Sequence, residues 1–349
     1  MKSVLLANFC DCPENLHFEQ AFIRAFKGRP GISLDIVHDF QFAYPFIKKS
    51  PPPGGRRVRY TAPADLKREL RGSYDLLAAL DFPKRKTCAA PFLRLLGELP
   101  CAEKIFIANH LLPMPGHNPT ADIIRKLGLL SVMDRAFILE FDDPALWAGL
   151  GLKAGRMLKR GYAVDCLYYS PAPAAPGDGV FSAGSAGRDF LKLARAAGRA
   201  GAALTIFTDT ALPPFEAAPG TPVLAAPLAE NLPRLRAAVR EAGAVAIPVT
   251  DGHINGAAGN TIAFIAMACG RPVVIRRTPY LERFIKDGET GFFYESLTVQ
   301  ELSRQLKRAL SLGPAASRLL SKAARAAVLE KASLDAFTES FRDKFVLIK

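Results

Sequence analysis

The sequence predicts an α/β protein built from two doubly wound domains facing a cleft. Three observations carry this. Apolar β-type runs alternate with helical patterns along the whole chain, as in a parallel sheet with helices on its faces. The length of 349 residues suits two domains at ~150 residues each. Near the middle, Ser170–Gly179 holds three prolines and two glycines in ten residues, the composition of an extended linker. The expected domains are 1–169 and 180–330, with 170–179 as linker and 331–349 packing back toward the N-terminal domain.

The elements follow in order. Ser3–Ala7 reads as a buried strand, and Glu14–Phe26 as a helix through the spacing of Phe18, Phe22 and Phe26. Ile32–Val37, Leu76–Leu80, Ile105–Ala108, Ala136–Leu139 and Cys166–Tyr169 are the remaining strands of the first half. Pro51–Gly55 reads as a surface loop. The second half restarts with a strand at Val180–Ala183, a glycine turn and a helix at Phe190–Ala197. Strands are expected at Leu204–Phe207, Val223–Ala225, Val245–Val249 and Pro272–Ile275. A helix starts near Gly259 and stops at Gly270, a suitable C′ residue. Thr298–Leu310 is amphipathic, with Val299, Leu302, Leu306 and Leu310 on one stripe. Two further helices finish the chain, the last with Leu334, Phe337, Phe341 and Phe345 on one face.

Composition narrows the class. Hydrophobic residues are 49% and charged residues 23%, a globular balance that excludes a disordered chain, a collagen and a disulfide miniprotein. No apolar stretch reaches the ~20 residues of a membrane span. The N-terminal apolar run, Val4–Ala7, is too short for a signal peptide, so a cytoplasmic location is expected. Six cysteines stand at 10, 12, 88, 101, 166 and 269. Cys10-x-Cys12 has no second pair beside it, so reduced thiols are expected and no metal. The net charge is +13, and the window 48–94 concentrates it, with twelve Lys and Arg against four Asp and Glu. Such a window attracts phosphates, on an anionic membrane surface or a soluble substrate; a solvated basic face is the plain alternative. No nucleic-acid motif accompanies the charge, and nucleic acid is not expected.

Chemistry concentrates in Pro248–Tyr294. The small residues from Gly256 to Thr261 leave backbone N–H groups open at a helix start, where the dipole favours a phosphate. Close packing of that helix on the sheet would equally call for small residues. Asp287-Gly-Glu-Thr-Gly291 reads as two tight turns before a short strand.

Ala266-Met-Ala-Cys-Gly-Arg-Pro-Val-Val274, followed by Glu282 and Asp287-Gly-Glu-Thr-Gly291, resembles the donor-binding half of GT-B glycosyltransferases, specifically the retaining family-four group. The resemblance is dense over 245–294, looser over the rest of the second half, and covers only the order of elements in 1–168. It implies two Rossmann-like domains and a Leloir-type enzyme, moving a sugar from a nucleoside diphosphate with retention at the anomeric carbon. Glu282 matches the family glutamate after the Pro-Val-Val strand, which contacts the donor. The family's paired glutamates, eight positions apart, fall here on Ala257 and Ile265, so both carboxylates are missing. The loop after Pro248 is longer than in members, and Asp251 and His253 are its polar candidates to replace the first. Asn260 and Thr261 would bond the phosphates beside Gly259. Gly184-Ser-Ala-Gly-Arg-Asp189 matches the loop where members hold the pyrophosphate with a basic residue, which makes Arg188 the clamp; a guanidinium fork suits phosphate oxygens and a leaving group's growing charge. An Arg188–Asp189 helix-start pair without ligand is the other reading. His110, just after an N-terminal strand, matches a family histidine near the reacting sugar and would assist the acceptor hydroxyl. The family's glycine-rich loop after the first strand is replaced by Asn8–Pro13.

The function expected is a retaining glycosyltransferase, with a nucleotide diphosphate sugar as substrate and no cofactor or metal. The acceptor would be a glycan or a lipid-linked one, as in cell-envelope polysaccharide synthesis, with peripheral attachment to the inner membrane face through 48–94. The missing glutamates leave two alternatives: a non-catalytic relative that binds a nucleotide sugar or glycan, and a nucleotide-sugar epimerase.

Overall fold

The computed structural model describes residues 1–347 apart from 9–11, 39–43, 48, 60–62, 82–91, 93, 110–121, 123, 127, 173–176, 213–221 and 251–256. By its contacts the chain forms two compact units, Met1–Tyr162 with Thr338–Lys349, and Ala163–Phe337.

The first unit holds β1 (Lys2–Asn8), α1 (Pro13–Phe26), β2 (Ile32–His38), β3 (Arg57–Arg59), α2 (Pro63–Glu69), β4 (Tyr74–Leu80), β5 (Cys101–Ile107), β6 (Arg135–Leu139), α3 (Pro144–Ala148) and β7 (Met157–Arg160). Its strands form one parallel sheet in the order β3-β2-β1-β4-β5-β6-β7. Val4, Leu5, Leu6 and Ala7 are fully buried, because a parallel sheet is covered on both faces. Proline opens α1 and Glu14 sits in its first turn, where the dipole favours an acid. Its Phe18, Phe22 and Phe26 stack at 6.0 and 5.5 Å. The last helix of the chain seals this layer: Phe341 lies 5.3 Å from Phe22 and 5.9 Å from Phe137, and Arg342 donates to the Ala25 carbonyl at 3.3 Å.

Two strands at the rims, β3 and β7, escape the sequence reading. Both are short and carry Arg or Lys, as edge strands do. Pro51–Gly55 is a loop, as expected, and it is laced to β2: Leu34 donates to Pro53 at 3.0 Å and, just past the loop, Ile36 donates to Arg56 at 2.9 Å. The basic window is also partly spent inside the fold. Arg57 pairs with the buried Glu19, and Arg71 bonds Asp35 at 2.9 Å and Ser33 at 2.6 Å.

The second unit holds β8 (Val180–Ala183), α4 (Phe190–Ala200), β9 (Leu204–Phe207), β10 (Val223–Ala226), α5 (Leu228–Glu241), β11 (Ala244–Ile247), α6 (Asn260–Ala268), β12 (Val273–Arg276), β13 (Phe292–Tyr294), α7 (Val299–Leu310), α8 (Pro314–Lys331) and the start of α9 (Leu334–Leu347). The parallel order is β10-β9-β8-β11-β12-β13. Numbered within the unit this is 3-2-1-4-5-6, which the first unit also follows, and in such sheets the order reverses at a switch point between the first and fourth strands. Asp189 and Thr298 cap α4 and α7 by accepting from Lys192 and Glu301. Every residue from Ile262 to Cys269 is nearly or wholly buried, which explains the run of small side chains in α6. Gly270 follows with φ +69°, and any Cβ there would strike Ser321.

Cys166–Tyr169 is not a strand. Asp165 accepts from Leu167 at 3.0 Å and Tyr168 at 3.1 Å, a local Asx turn that outcompetes the ladder its apolar neighbours suggest. Three arginines fasten this turn to the second unit. Arg325 donates to the carbonyls of Cys166, Tyr169 and Ala268. Arg236 stacks on Tyr168 at 4.2 Å, and Arg240 binds Ser170 twice. The unit therefore begins at Ala163, ahead of the stretch read as linker.

Candidate functional site

In open α/β sheets ligands bind at the switch point, beyond the carboxyl ends of the strands. In the second unit that point lies between β8 and β11, and the loops leaving them are bonded to each other. Asp189 N–H donates to Pro248 at 2.9 Å, Thr250 N–H donates to Gly187 at 2.9 Å, and Arg188 and Val249 form an antiparallel bridge. Gly184 and Gly187 turn the first loop with φ of +112° and +61°, values open to glycine at little cost.

Arg188 is half-buried and folded over this loop. Its Nη2 lies 3.0 Å from where a Gly184 Cβ would stand, so the glycine is what admits the guanidinium. Nη1 donates to Ala186 at 2.6 Å. The Nε is enclosed and meets no acceptor, and among the described residues no carboxylate pairs with the side chain. Asp189, the neighbouring carboxylate, instead caps α4 and pairs with Lys192 at 3.2 Å. Burial pushes the Arg188 guanidinium down to about 10, opposed by Coulombic attraction from Tyr294; it stays charged at neutral pH. The result is a cation with donor capacity in reserve.

Gly259 caps the start of α6 with φ +93°. A Cβ there would sit 2.8 Å from Ile247 and 3.3 Å from Val249, so glycine lets the helix start close onto the end of β11. Asn260 is buried and Thr261 half-buried in the first turn. The Arg188 loop and this helix start thus share one anchor, the Ile247–Val249 turn. The neighbouring loop after β9 joins them: Thr210 Oγ1 donates to Ser185 at 3.3 Å, and Asp209 caps α5 through Ala229 at 3.0 Å.

Glu282 is exposed on the short helix Leu281–Arg283 after β12, whose Leu281 is buried. Its carboxylate is held by Arg277 at 2.9 Å, which also binds Glu295 and stacks on Phe293 at 4.5 Å. Ile265 is 2% exposed, so the second family glutamate is replaced by a core residue. His110, Asp251 and His253 lie outside the described residues. A gap of about 200 Å³ under α5 is lined by Gly179, Ala203 and Ala242 at the opposite, amino ends of the strands. It lies away from this site.

Sequence reasoning missed the polar crest of the first unit. Asn109 N–H donates to Asp81 at 2.6 Å, its side chain donates to Asn15 at 2.7 Å, and Arg160 donates to it at 2.8 Å. Asp81, the residue after β4, has φ +53°, in the left-handed region. It missed Tyr294 as well, whose buried hydroxyl meets the end of β11. The signal available was a tyrosine in an otherwise apolar strand.

Comparison with known proteins bears on this geometry. Residues 262–326 match the family model described as glycosyl transferases group 1, a stretch running from α6 into α8. No curated protein matches the chain in sequence. Among solved structures, sucrose-phosphate synthase from Thermosynechococcus elongatus is similar with a TM-score of 0.65 at 15% identity, over 99% of this chain and 98% of that one. HepE of Anabaena, solved with UDP and glucose, gives 0.66 at 12% over the whole of both chains. A glycosyltransferase from Rickettsia africae gives 0.66 at 11%, over 100% and 99%. The architecture is the two-domain GT-B fold. Within that fold, residues 262–326 are the segment similar to glycosyl transferases group 1.

Proposed function

We propose that the chain is a retaining glycosyltransferase that moves a sugar from a nucleoside diphosphate to a glycan or lipid-linked acceptor. The observation that carries this is Arg188: a half-buried guanidinium with an enclosed, partnerless Nε, beside a helix start at a sheet's switch point. A doubly charged diphosphate would supply the counter-charge that no described carboxylate gives the guanidinium, and the N-terminal dipole of α6 would add to the attraction. As the glycosidic bond breaks, charge grows on the departing phosphate, and a positioned cation stabilises it more than the ground state. A cation and a helix start can do this without a metal. UDP and UDP-glucose occupy HepE in its solved complexes, which supports uridine nucleotides as the first donors to try.

The first unit would take the acceptor side, with His110 assisting the acceptor hydroxyl. Asp251, His253, Asn260, Thr261 and Glu282 are the further donor-side candidates. Attachment to an anionic membrane surface would draw on the basic residues of 48–94 other than Arg57 and Arg71. Among the described residues no helix is long and apolar enough to cross a membrane. One observation favours a binding-only relative instead: no carboxylate stands at 257 or 265.

Incubation of the purified chain with UDP-, GDP-, ADP- and TDP-sugars decides between these readings. Release of nucleoside diphosphate, with an α-linked donor giving an α-linked product by NMR, is the expected result. Tight binding without release would establish the binding relative, and conversion of the sugar itself the epimerase. Arg188→Ala should weaken nucleoside diphosphate binding on the order of 100-fold by calorimetry; unchanged affinity would remove it from the site.

A further inference from the structure

We propose that the Tyr294 hydroxyl is the positioning group of this donor site, setting the Arg188 loop and the α6 start in register; the inference rests on the Arg188 reading above. Tyr294 belongs to the edge strand β13, with β12 between it and β11. Its side chain is fully buried, and its hydroxyl reaches the end of β11. There it accepts from the Val249 N–H at 2.8 Å and donates to the Ile247 carbonyl at 3.0 Å, with the Val249 carbonyl at 3.3 Å as an alternative acceptor.

The Ile247–Val249 turn has few fixings of its own. Pro248 has no N–H to give, and Val249 N–H closes a tight contact to Ile247 at 3.0 Å. Yet both halves of the site hang on it. Pro248 and Thr250 hold the backbone on either side of Arg188, and the Val249 side chain lies against Gly259 at the helix start. One hydroxyl therefore fixes the piece of backbone that sets where the guanidinium stands relative to the helix N–H groups. Phosphate recognition by a fork and a helix start needs both within hydrogen-bond reach of one diphosphate. Phenylalanine would fill the same volume in β13, so packing alone gives no reason for tyrosine; the oxygen is what the turn uses.

The test is a double-mutant cycle on nucleoside diphosphate binding, using whichever of UDP, GDP, ADP or TDP binds the wild-type chain best. Tyr294→Phe should weaken binding about tenfold in the wild-type background and by less than twofold when Arg188 is already alanine, because its effect passes through Arg188. Equal weakening in both backgrounds would make Tyr294 a general structural residue and overturn the inference. Unchanged affinity in Tyr294→Phe, with Arg188→Ala still weakened, would overturn it and leave the donor site standing. If Arg188→Ala binds as well as wild type, or no nucleotide binds at all, the donor reading fails and the inference with it. Amide exchange read without ligand supplies the second measurement: Val249, Thr250 and Asp189 should exchange faster in Tyr294→Phe, and unchanged protection would contradict the proposal even if the variant proved too unstable to titrate.

Discussion

The two switch points of this molecule are built on the same strand order and finished in opposite ways. In the first unit the crest is filled by side chains that satisfy one another. From Arg57 the bonds run through Glu19, Asn8, Asn15 and Asn109 to Arg160. All but Arg57 are buried, and Arg160 also donates twice to Ala108. In the second unit the crest is backbone and glycine, with an arginine whose Nε has no acceptor. A buried polar network that closes on itself rigidifies a fold, whereas one that leaves donors open has capacity for a ligand. Among the described residues, the difference puts the open donor capacity at the crest of the second unit.

The comparison breaks first at Arg188. Replacing it with alanine should cost about 3 kcal/mol of nucleoside diphosphate affinity and little stability, by calorimetry and urea unfolding. Asn109→Ala should do the reverse. It leaves the buried Arg160 and Asn15 groups unmatched and should cost about 2 kcal/mol of stability, read by urea unfolding, with nucleotide affinity within twofold of wild type. A matching loss of affinity would erase the contrast between the crests. Gly259→Ala adds a Cβ against Ile247 at a positive φ, and about 1–2 kcal/mol of stability should be lost, with weaker nucleotide binding because the helix start is pushed off β11. The smallest effect serves as a control at the amino ends of the two central strands of the first sheet, β1 and β4. The Ser3 N–H and hydroxyl, at 2.6 and 3.0 Å, hold the Asp75 carboxyl below its usual range. Its folded value is depressed, so its contribution is complete above the unfolded value near about pH 4 and disappears as pH falls through the folded one. Asp75→Asn should flatten that acid loss in urea unfolding, with a small loss of stability at neutral pH that vanishes in acid below the folded value.

Much of the fold was legible because apolar runs and helical stripes are local signals. Phe18, Phe22 and Phe26, and Leu302 with Leu306, announced their buried faces. Cys166–Tyr169 was misread because a single aspartate, Asp165, redirects the backbone, and the arginines that fix the turn come from α5 and α8. The rim strands β3 and β7 were hidden by their charge. Of the site, the Gly184–Arg188 loop and the α6 start were visible as a glycine turn and a small-residue helix start. Their mutual anchor was not, since it depends on Tyr294 meeting a turn 45 residues earlier in the chain. The basic window showed the same limit: Arg57 and Arg71 look free in sequence and are bound to Glu19 and Asp35 in space.

The most direct test of the open crest is a crystal structure of the chain with the nucleoside diphosphate it binds best. The account requires the diphosphate oxygens within hydrogen-bond distance of the Arg188 guanidinium, with the α6 start facing them. A nucleotide bound elsewhere, or an Arg188 still folded onto Ala186 beside an occupied site, would contradict it.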